Sequence, residues 1–244
     1  MITVPACNES KTLRKCVESI LKQAKELDED FRIIISEDGS TDGTDQIAQE
    51  LDKNYEQVTH LHSDCRLGKG MALKRAFKTV EGDIYAFVDS DLATSMQFFS
   101  QLINLIRQGN DLAFGSRYIN GAEIQRDGLR DASSRLYNLI IRVMFRDHVL
   151  DHQIGFKAFS KRLIKDVLDE CDSTGWFWDT EIIVRSVNRN YKFVEFPVDW
   201  EEKKNGTGPL RMVTEVAIQN VIGIVKLARL TSNTNRKKLT SIKN

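Results

Sequence analysis

The sequence predicts an α/β fold built on a mainly parallel, doubly wound sheet, and three observations carry that expectation. Short apolar runs of strand type alternate with segments of helical periodicity from the start of the chain to Arg117. One run, Ile84-Tyr85-Ala86-Phe87-Val88, is apolar without alternation, the pattern of a strand buried on both faces. It ends in Asp89-Ser90-Asp91, a pair of carboxylates at the C-terminal edge of a strand, which is where open parallel sheets bind ligands.

The elements follow in order. Met1 to Ala6 reads as a strand that breaks at Pro5, and Asn8 or Ser10 can cap a helix over Lys11 to Lys25, where Leu13, Val17, Ile20, Leu21 and Ala24 recur at helical spacing. Phe31 to Ile35 is the second strand. The loop Ser36 to Thr44, rich in Asp, Gly, Ser and Thr, is either a helix-capping turn or a cluster of ligand groups at a strand end. A helix carrying Ile47, Ala48 and Leu51 follows, then a strand over Val58 to His62 and a helix over Met71 to Val80. Gly68-Lys69-Gly70 precedes that helix without the Gly-x-x-x-x-Gly-Lys-Ser/Thr spacing, so a P-loop is rejected; a helix start here can still face a phosphate. No Gly-x-Gly-x-x-Gly follows the first strand, which disfavours a nicotinamide dinucleotide. After Asp91 come a helix over Phe98 to Arg107 and a strand ending in Gly115-Ser116-Arg117.

From Tyr118 the texture changes. Asn120 to Asp131 is polar and glycine-containing, the profile of a mobile loop, and leads into an apolar helix over Ser133 to Phe145. Arg130, Arg135 and Arg142 can clamp a phosphate or lie on the surface with buried stems. Asp151 to Phe159 reads as an acidic turn entering a strand, Gly175 to Glu181 as the start of a helix, Phe193 to Trp200 as a late strand, and Glu201 to Pro209 as a flexible loop. The last helix, Arg211 to about Leu230, has no uncharged stretch approaching the roughly 20 residues that a bilayer span needs. Beyond Glu215 the chain carries Lys226, Arg229, Arg236, Lys237, Lys238 and Lys243 and no acid, so an amphipathic helix with a basic tail suits an anionic membrane surface or, equally, a packing helix with a solvated tail.

With 244 residues, 41% of them hydrophobic and 29% charged, the chain can bury one sizeable α/β core. Formal net charge is zero, which leaves no global footprint for nucleic acid. Cys7, Cys16, Cys65 and Cys171 form no Cys-x-x-Cys pair, and His60, His62, His148 and His152 lie near no cysteine ligand set, which disfavours zinc and a disulfide framework and fits a reducing cytosol. No signal peptide is expected, because no basic region with a following apolar run opens the chain. Two clustered carboxylates suit a hard cation, Mg²⁺ or Mn²⁺, and through it a diphosphate.

Taken together, Val4 to Glu9, Glu37 to Thr44, Gly68-Lys69-Gly70, Asp89-Ser90-Asp91, Gly115-Ser116-Arg117 and Asp151 to Lys157 strongly resemble the inverting GT-A glycosyltransferases of family 2, and among them the dolichyl-phosphate sugar synthases. The resemblance implies a GT-A domain over residues 1–210 and a membrane-surface helix and tail over 211–244. It implies transfer of one sugar from a UDP- or GDP-linked donor to dolichyl (polyprenyl) phosphate, by a peripheral enzyme on the cytoplasmic face of the membrane. By similarity, Pro5, Cys7, Glu9, Asp38, Lys69, Asp89 and Ser90 would meet the nucleotide, and Asp89 and Asp91 the metal. Arg117, Arg130, Ser134, Arg135 and Arg211 would meet phosphate, and Asp151 and Gln153 the sugar, with Asp151 open as a base or as a hydroxyl ligand. Cys7 stands where the family often has tyrosine, and Gly206 to Arg211 replaces its late Gly-Ser-Lys. Two alternatives stay open: a family member with another acceptor, such as a lipid-linked glycan, and a nucleotidyltransferase.

Overall fold

A computed structural model of the chain describes residues 1–27, 30–202 and 216–230. Parallel strands β1 (Ile2–Ala6), β2 (Ile33–Glu37), β3 (Val58–Leu61), β4 (Ile84–Val88) and β5 (Leu112–Ser116) are joined through helices α1 (Leu13–Lys25), α2 (Thr44–Asn54), α3 (Lys69–Thr79) and α4 (Phe99–Arg107). The apolar spacing read in the first helix is the face that α1 buries, from Leu13 to Ala24. Ile33, Ile34 and Ile35 in β2 are fully buried, as expected of a strand covered on both faces.

The second half adds β6 (Ile124–Gln125), α5 (Gly128–Phe145), β7 (Phe156–Ser160), α6 (Lys161–Val167), α7 (Trp178–Asn188), β8 (Phe193–Pro197), β9 (Trp200–Glu201) and α8, residues 216–230. The main sheet runs β3-β2-β1-β4-β7-β5-β8, and β7 is antiparallel to both neighbours. This makes the sheet mixed and mainly parallel. β7 runs the other way between β4 and β5, so its leading residue Gly155 arrives at the same sheet edge where β4 releases Asp89, and Asp89 donates its backbone N–H to the Gly155 carbonyl at 2.9 Å.

Phe87 of β4, Phe159 of β7 and Trp178 of α7 pack together beneath that edge, with ring centroids 6.1–6.4 Å apart. Truncating Phe87 to alanine would remove about 3–5 kcal/mol, the usual loss for a buried aromatic, and with it the platform under the acidic pair.

The stretch read as a mobile loop departs from expectation. Ile124 and Gln125 pair with Trp200 and Glu201 in a second, two-stranded sheet, and the Asp127 carboxylate caps α5 through the N–H groups of Leu129 and Arg130. Polar local composition gives no sign of a strand whose partner lies far along the chain. α3 also starts earlier than its apolar pattern suggests, because Gly68 takes φ 97° at the N-cap, and a Cβ there would lie 2.5 Å from the Thr174 carbonyl oxygen.

Candidate active site

Each parallel strand delivers its motif to one edge. After β1, the backbone N–H groups of Asn8, Glu9 and Ser10 donate to Ser40 Oγ, Thr44 Oγ1 and the Asp42 carboxylate. The two loops are stitched into one wall by the small polar residues that the sequence clusters there. Asp38, after β2, is buried, and its carboxylate oxygens accept from Leu67 N at 2.7 Å and Gly68 N at 2.8 Å. Asp38 therefore fixes the loop before α3, and its expected hold on base and ribose is limited to whatever acceptor capacity those two bonds leave.

A cleft of about 420 Å³ lies over this edge, lined by Pro5, Cys7, Glu9, Asp38, Lys69, Asp89, Ser90 and Asp91, so all the residues expected to meet the nucleotide come together. Gly68, Trp176 and Gln219 are also among its lining residues. Lys69 ion-pairs with Asp89 at 2.8 Å and with Asp179 at 3.0 Å, and its ammonium lies 4.9 Å from the Trp176 ring centre. Against the penalty of burial, the carboxylates of Asp179 and Asp89 hold Lys69 above its ordinary value, so it is a fixed cation beside the acidic pair. Burial pushes the Cys7 thiol up, which leaves it uncharged in the wall.

Asp89 and Asp91 fit a divalent cation. Oxygen donors suit Mg²⁺ or Mn²⁺. Burial pushes the neighbouring Glu9 carboxyl up and the charges of Asp91 and Asp89 add to it, a concentration of negative charge that a cation would relieve. Gly155 leaves room for Asp89, since a Cβ at residue 155 would sit 1.8 Å from an Asp89 oxygen. Immediately after the pair, Leu92 holds φ 54° and Ala93 N donates to Asp91 Oδ1 at 2.9 Å, a backbone strained into a tight turn around the carboxylate.

A second cleft, of about 320 Å³, meets the first at Asp89 and Asp91 and is lined on its far side by Arg117, Arg126, Ser134, Gln153 and Trp200. The guanidinium of Arg117 donates to both oxygens of Asp151, from Nε at 2.7 Å and from NH2 at 2.8 Å, and its backbone N–H makes a third bond at 3.1 Å. Asp151 is 0% exposed, and against burial Arg117 holds it below the usual carboxylate range. This placement does not fit the expectation of Asp151 as base or sugar ligand: both oxygens are engaged and the group is sealed behind Arg117, as a positioning residue would be.

The arginines sort differently from expectation. Arg130 pairs with Glu202, and Arg135 pairs with Asp131 at 2.7 Å; neither lines either cleft. Arg126, inside the polar stretch, lies in the second cleft, with its guanidinium 5.2 Å from the Trp200 ring and NH1 donating to Ser134 Oγ at 2.9 Å. Among the described residues its Nε is buried without an acceptor. Burial, and then Arg117, push Arg126 down from its ordinary value, the mark of two cations facing a common space. Arg211 lies outside the described residues.

A sequence model of Glycosyl transferase family 2 matches residues 1–168. The chain belongs to that family. This family 2 chain is 38% identical over 205 residues to Glycosyltransferase AglD of Haloferax volcanii, an alignment covering 83% of the chain and 33% of AglD, so it spans about a third of that relative's length. It is 29% identical over 243 residues to dolichyl-phosphate beta-glucosyltransferase ALG5A of Trichomonas vaginalis, covering 93% of the chain and 75% of the relative. The dolichyl-phosphate beta-glucosyltransferase of Saccharomyces cerevisiae is 25% identical over 249 residues, with 94% and 74% covered. In fold it matches glucosyl-3-phosphoglycerate synthase of Mycobacterium tuberculosis, crystallised with Mn²⁺, uridine diphosphate and phosphoglyceric acid, at TM-score 0.71, with 19% identity and 93% and 77% of the two chains covered. A family 2 glycosyltransferase with a GT-A sheet is thus the common finding of motif, fold and relatives.

Proposed function

We propose that this family 2 chain transfers one sugar, with inversion, from a nucleotide-diphosphate sugar to a dolichyl-type polyprenyl phosphate, working peripherally on the cytoplasmic face of a membrane. The observation that carries the reading is the meeting of two clefts at Asp89 and Asp91, one walled by the strand-end motifs and the other by Arg117, Arg126 and Ser134. The first suits a nucleotide diphosphate and the second a phosphate monoester.

A divalent cation held by Asp89 and Asp91 would neutralise charge on the departing diphosphate. Lys69 adds a second, protein-borne positive charge to the same edge, preorganised by Asp179. A phosphate monoester has a second pKa of about 6 and is largely dianionic near neutral pH, so the attacker needs no strong general base. Arg117 and Arg126 hold and orient it, Ser134 keeps Arg126 in place, and Asp151 keeps Arg117 in place. That chemistry is consistent with a sealed Asp151.

The lipid end of such an acceptor has a surface to meet. On α8, Ile218, Val221, Ile222 and Val225 are exposed along one face at helical spacing, and α5 exposes Leu136, Leu139, Ile140 and Val143. Among the described residues no helix is long and apolar enough to cross a membrane. The helices that carry these outward apolar faces also line the second cleft, α5 through Ser134 and α8 through Val216, which supports interfacial seating.

The test is transfer of radiolabelled sugar from a panel of UDP- and GDP-sugars to dolichyl phosphate, with Mg²⁺ or Mn²⁺ and with EDTA. UDP-glucose leads the panel, because relatives are named glucosyltransferases and the solved neighbour was crystallised with uridine-diphosphate-glucose. Labelling of the lipid by one donor, abolished by EDTA and by Asp91→Ala, is the expected outcome. Labelling of a lipid-linked glycan alone would move the acceptor, and release of pyrophosphate would replace the reading by nucleotidyl transfer.

A further inference from the structure

We propose that Glu37, Asp45, His60 and His62 form a second cation site, of Zn²⁺ type, that staples the outer wall of the donor cleft and is separate from Asp89 and Asp91. The four residues come from three elements. Glu37 ends β2, Asp45 lies in the first turn of α2, and His60 and His62 lie at the end of β3. One ligand atom from each lies within 4.8 Å of all the others. His62 Nδ1 is 2.6 Å from Glu37 Oε2 and 3.2 Å from Asp45 Oδ1, and His60 Nε2 is 3.6 Å from Asp45 Oδ1. A tetrahedral zinc with ligands at about 2.0–2.1 Å sets its donors roughly 3.3 Å apart, so modest side-chain rotation brings this set into range.

The second observation is His60 itself. Its side chain is 6% exposed, its Nε2 is aimed at the cluster, and among the described residues that nitrogen is buried with no hydrogen-bond partner. A buried imidazole nitrogen without a partner is costly unless something occupies its lone pair or proton. The outer contacts are those of a ligand set. His62 Nε2 lies 3.2 Å from Asp64 Oδ1, a carboxylate that would fix the ring with Nδ1 free for the cation, and Gln49 Nε2 donates to Asp45 Oδ2 at 3.1 Å. Two carboxylates and two neutral imidazoles balance a divalent charge, and imidazole nitrogen favours zinc-like ions over the hard cation expected at Asp89 and Asp91. Cys7, Cys16, Cys65 and Cys171 form no cysteine set for zinc. The fold assembles the alternative by placing β3 beside β2, with Ile35 opposite His60 in the register.

Such a staple would have a local consequence. Glu37 precedes Asp38, which anchors Leu67 and Gly68 of the donor wall, and His62 opens the loop leading to them. The ion would tie both ends of that wall to α2.

The experiment measures metal content and thermal midpoint in a chain whose other site is removed. Asp89→Ala/Asp91→Ala protein, stripped with chelator, is loaded with Zn²⁺ or Co²⁺ and desalted. The proposal expects one retained equivalent, a tetrahedral Co²⁺ visible spectrum and a raised unfolding midpoint. His62→Ala, at a half-exposed position, should abolish all three, and His60→Ala should do so if it folds. No retained metal in the double variant, or retention unchanged in His62→Ala, overturns the site and leaves a hydrogen-bonded His and carboxylate cluster.

Discussion

The two clefts share Asp89 and Asp91 but are built differently. Donor-side residues sit where strands of the main sheet end: Pro5 and Glu9 at and after β1, Asp38 after β2, and Lys69 opening α3. Sheet register fixes their spacing, and hydrogen bonds between the loops after β1 and β2 lock it. On the other side Arg117 follows β5, but Arg126 and Trp200 stand at the small β6–β9 sheet and Ser134 on α5, while Val216 at the start of α8 lines both clefts. On the proposed function, the nucleotide diphosphate is held mainly by the rigid core, and the second substrate is met in part by appended elements. Such a division lets one fold change acceptors without rebuilding its donor site.

The largest expected effect falls where the clefts meet. Asp91→Ala should lower kcat on the order of 10³-fold, about 4 kcal/mol of transition-state stabilisation, for any acceptor, with the unfolding midpoint unchanged. Initial rates with saturating donor check it. A loss confined to KM for the acceptor would show that the carboxylates serve only one cleft.

Next is the strut between the core and the acceptor side. Glu195 of β8 accepts from Leu150 N and Asp151 N, and so holds the turn that carries Asp151 to Arg117. Burial first, and then the Asp151 charge, push Glu195 up to about 7 despite those bonds. A carboxyl raised on folding contributes stability that is complete below its unfolded value of 4.5 and is lost as pH rises through about 7. Over that window the wild type should lose up to ~3 kcal/mol relative to Glu195→Gln, which keeps an acceptor but cannot ionise. Denaturant midpoints from pH 4 to 8 for both proteins would show the curves diverging; parallel curves would mean that Glu195 titrates normally.

A third contrast separates the arginines. Arg126→Ala should raise KM for polyprenyl phosphate by roughly 10- to 100-fold, the range for lost hydrogen bonds to a charged group, and leave KM for the nucleotide sugar unchanged. Arg130→Ala should do neither, because that exposed side chain is spent on Glu202. Equal effects of the two would erase the distinction that the second cleft draws.

Legibility in the sequence follows the same division. The strands of the donor half announced themselves as apolar runs, and Asp89 and Asp91 were visible because a strand's C-terminal edge is a known place for ligands; the roles of Glu9 and Lys69 beside them were legible only through the resemblance to family 2. Arg126 was not legible. It lies between a two-residue strand and a helix cap in a stretch whose polar composition matches a loop, and its role depends on Trp200 arriving from β9. The mutual sealing of Arg117 and Asp151 was hidden for the same reason: charge in a sequence does not say which acid a guanidinium will find. His60 and His62 belong to this class too, since only the pairing of β3 with β2 brings them to Glu37.

The smallest effect tests the outermost part of the acceptor side. α8 turns Ile224 and Leu227 inward onto Ile141, Phe145, Phe177 and Val184, while Ile218, Val221, Ile222 and Val225 face out. If that outer ridge seats in lipid, Val221→Ser should weaken partitioning into vesicles containing anionic lipid by about fivefold, the equivalent of roughly 1 kcal/mol of apolar burial. Stability should not move, because Val221 is 61% exposed and makes no part of the inner cluster. Turnover of a short-chain, water-soluble polyprenyl phosphate should also hold, since the chemistry lies in the cleft and not on the ridge. Ile224→Ser is the contrasting variant: it should lower the unfolding midpoint by loosening α8 from α5 and α7. Undiminished vesicle binding in Val221→Ser/Ile222→Ser would detach the membrane from this helix and leave the acceptor cleft to capture its phosphate without a lipid-facing wall.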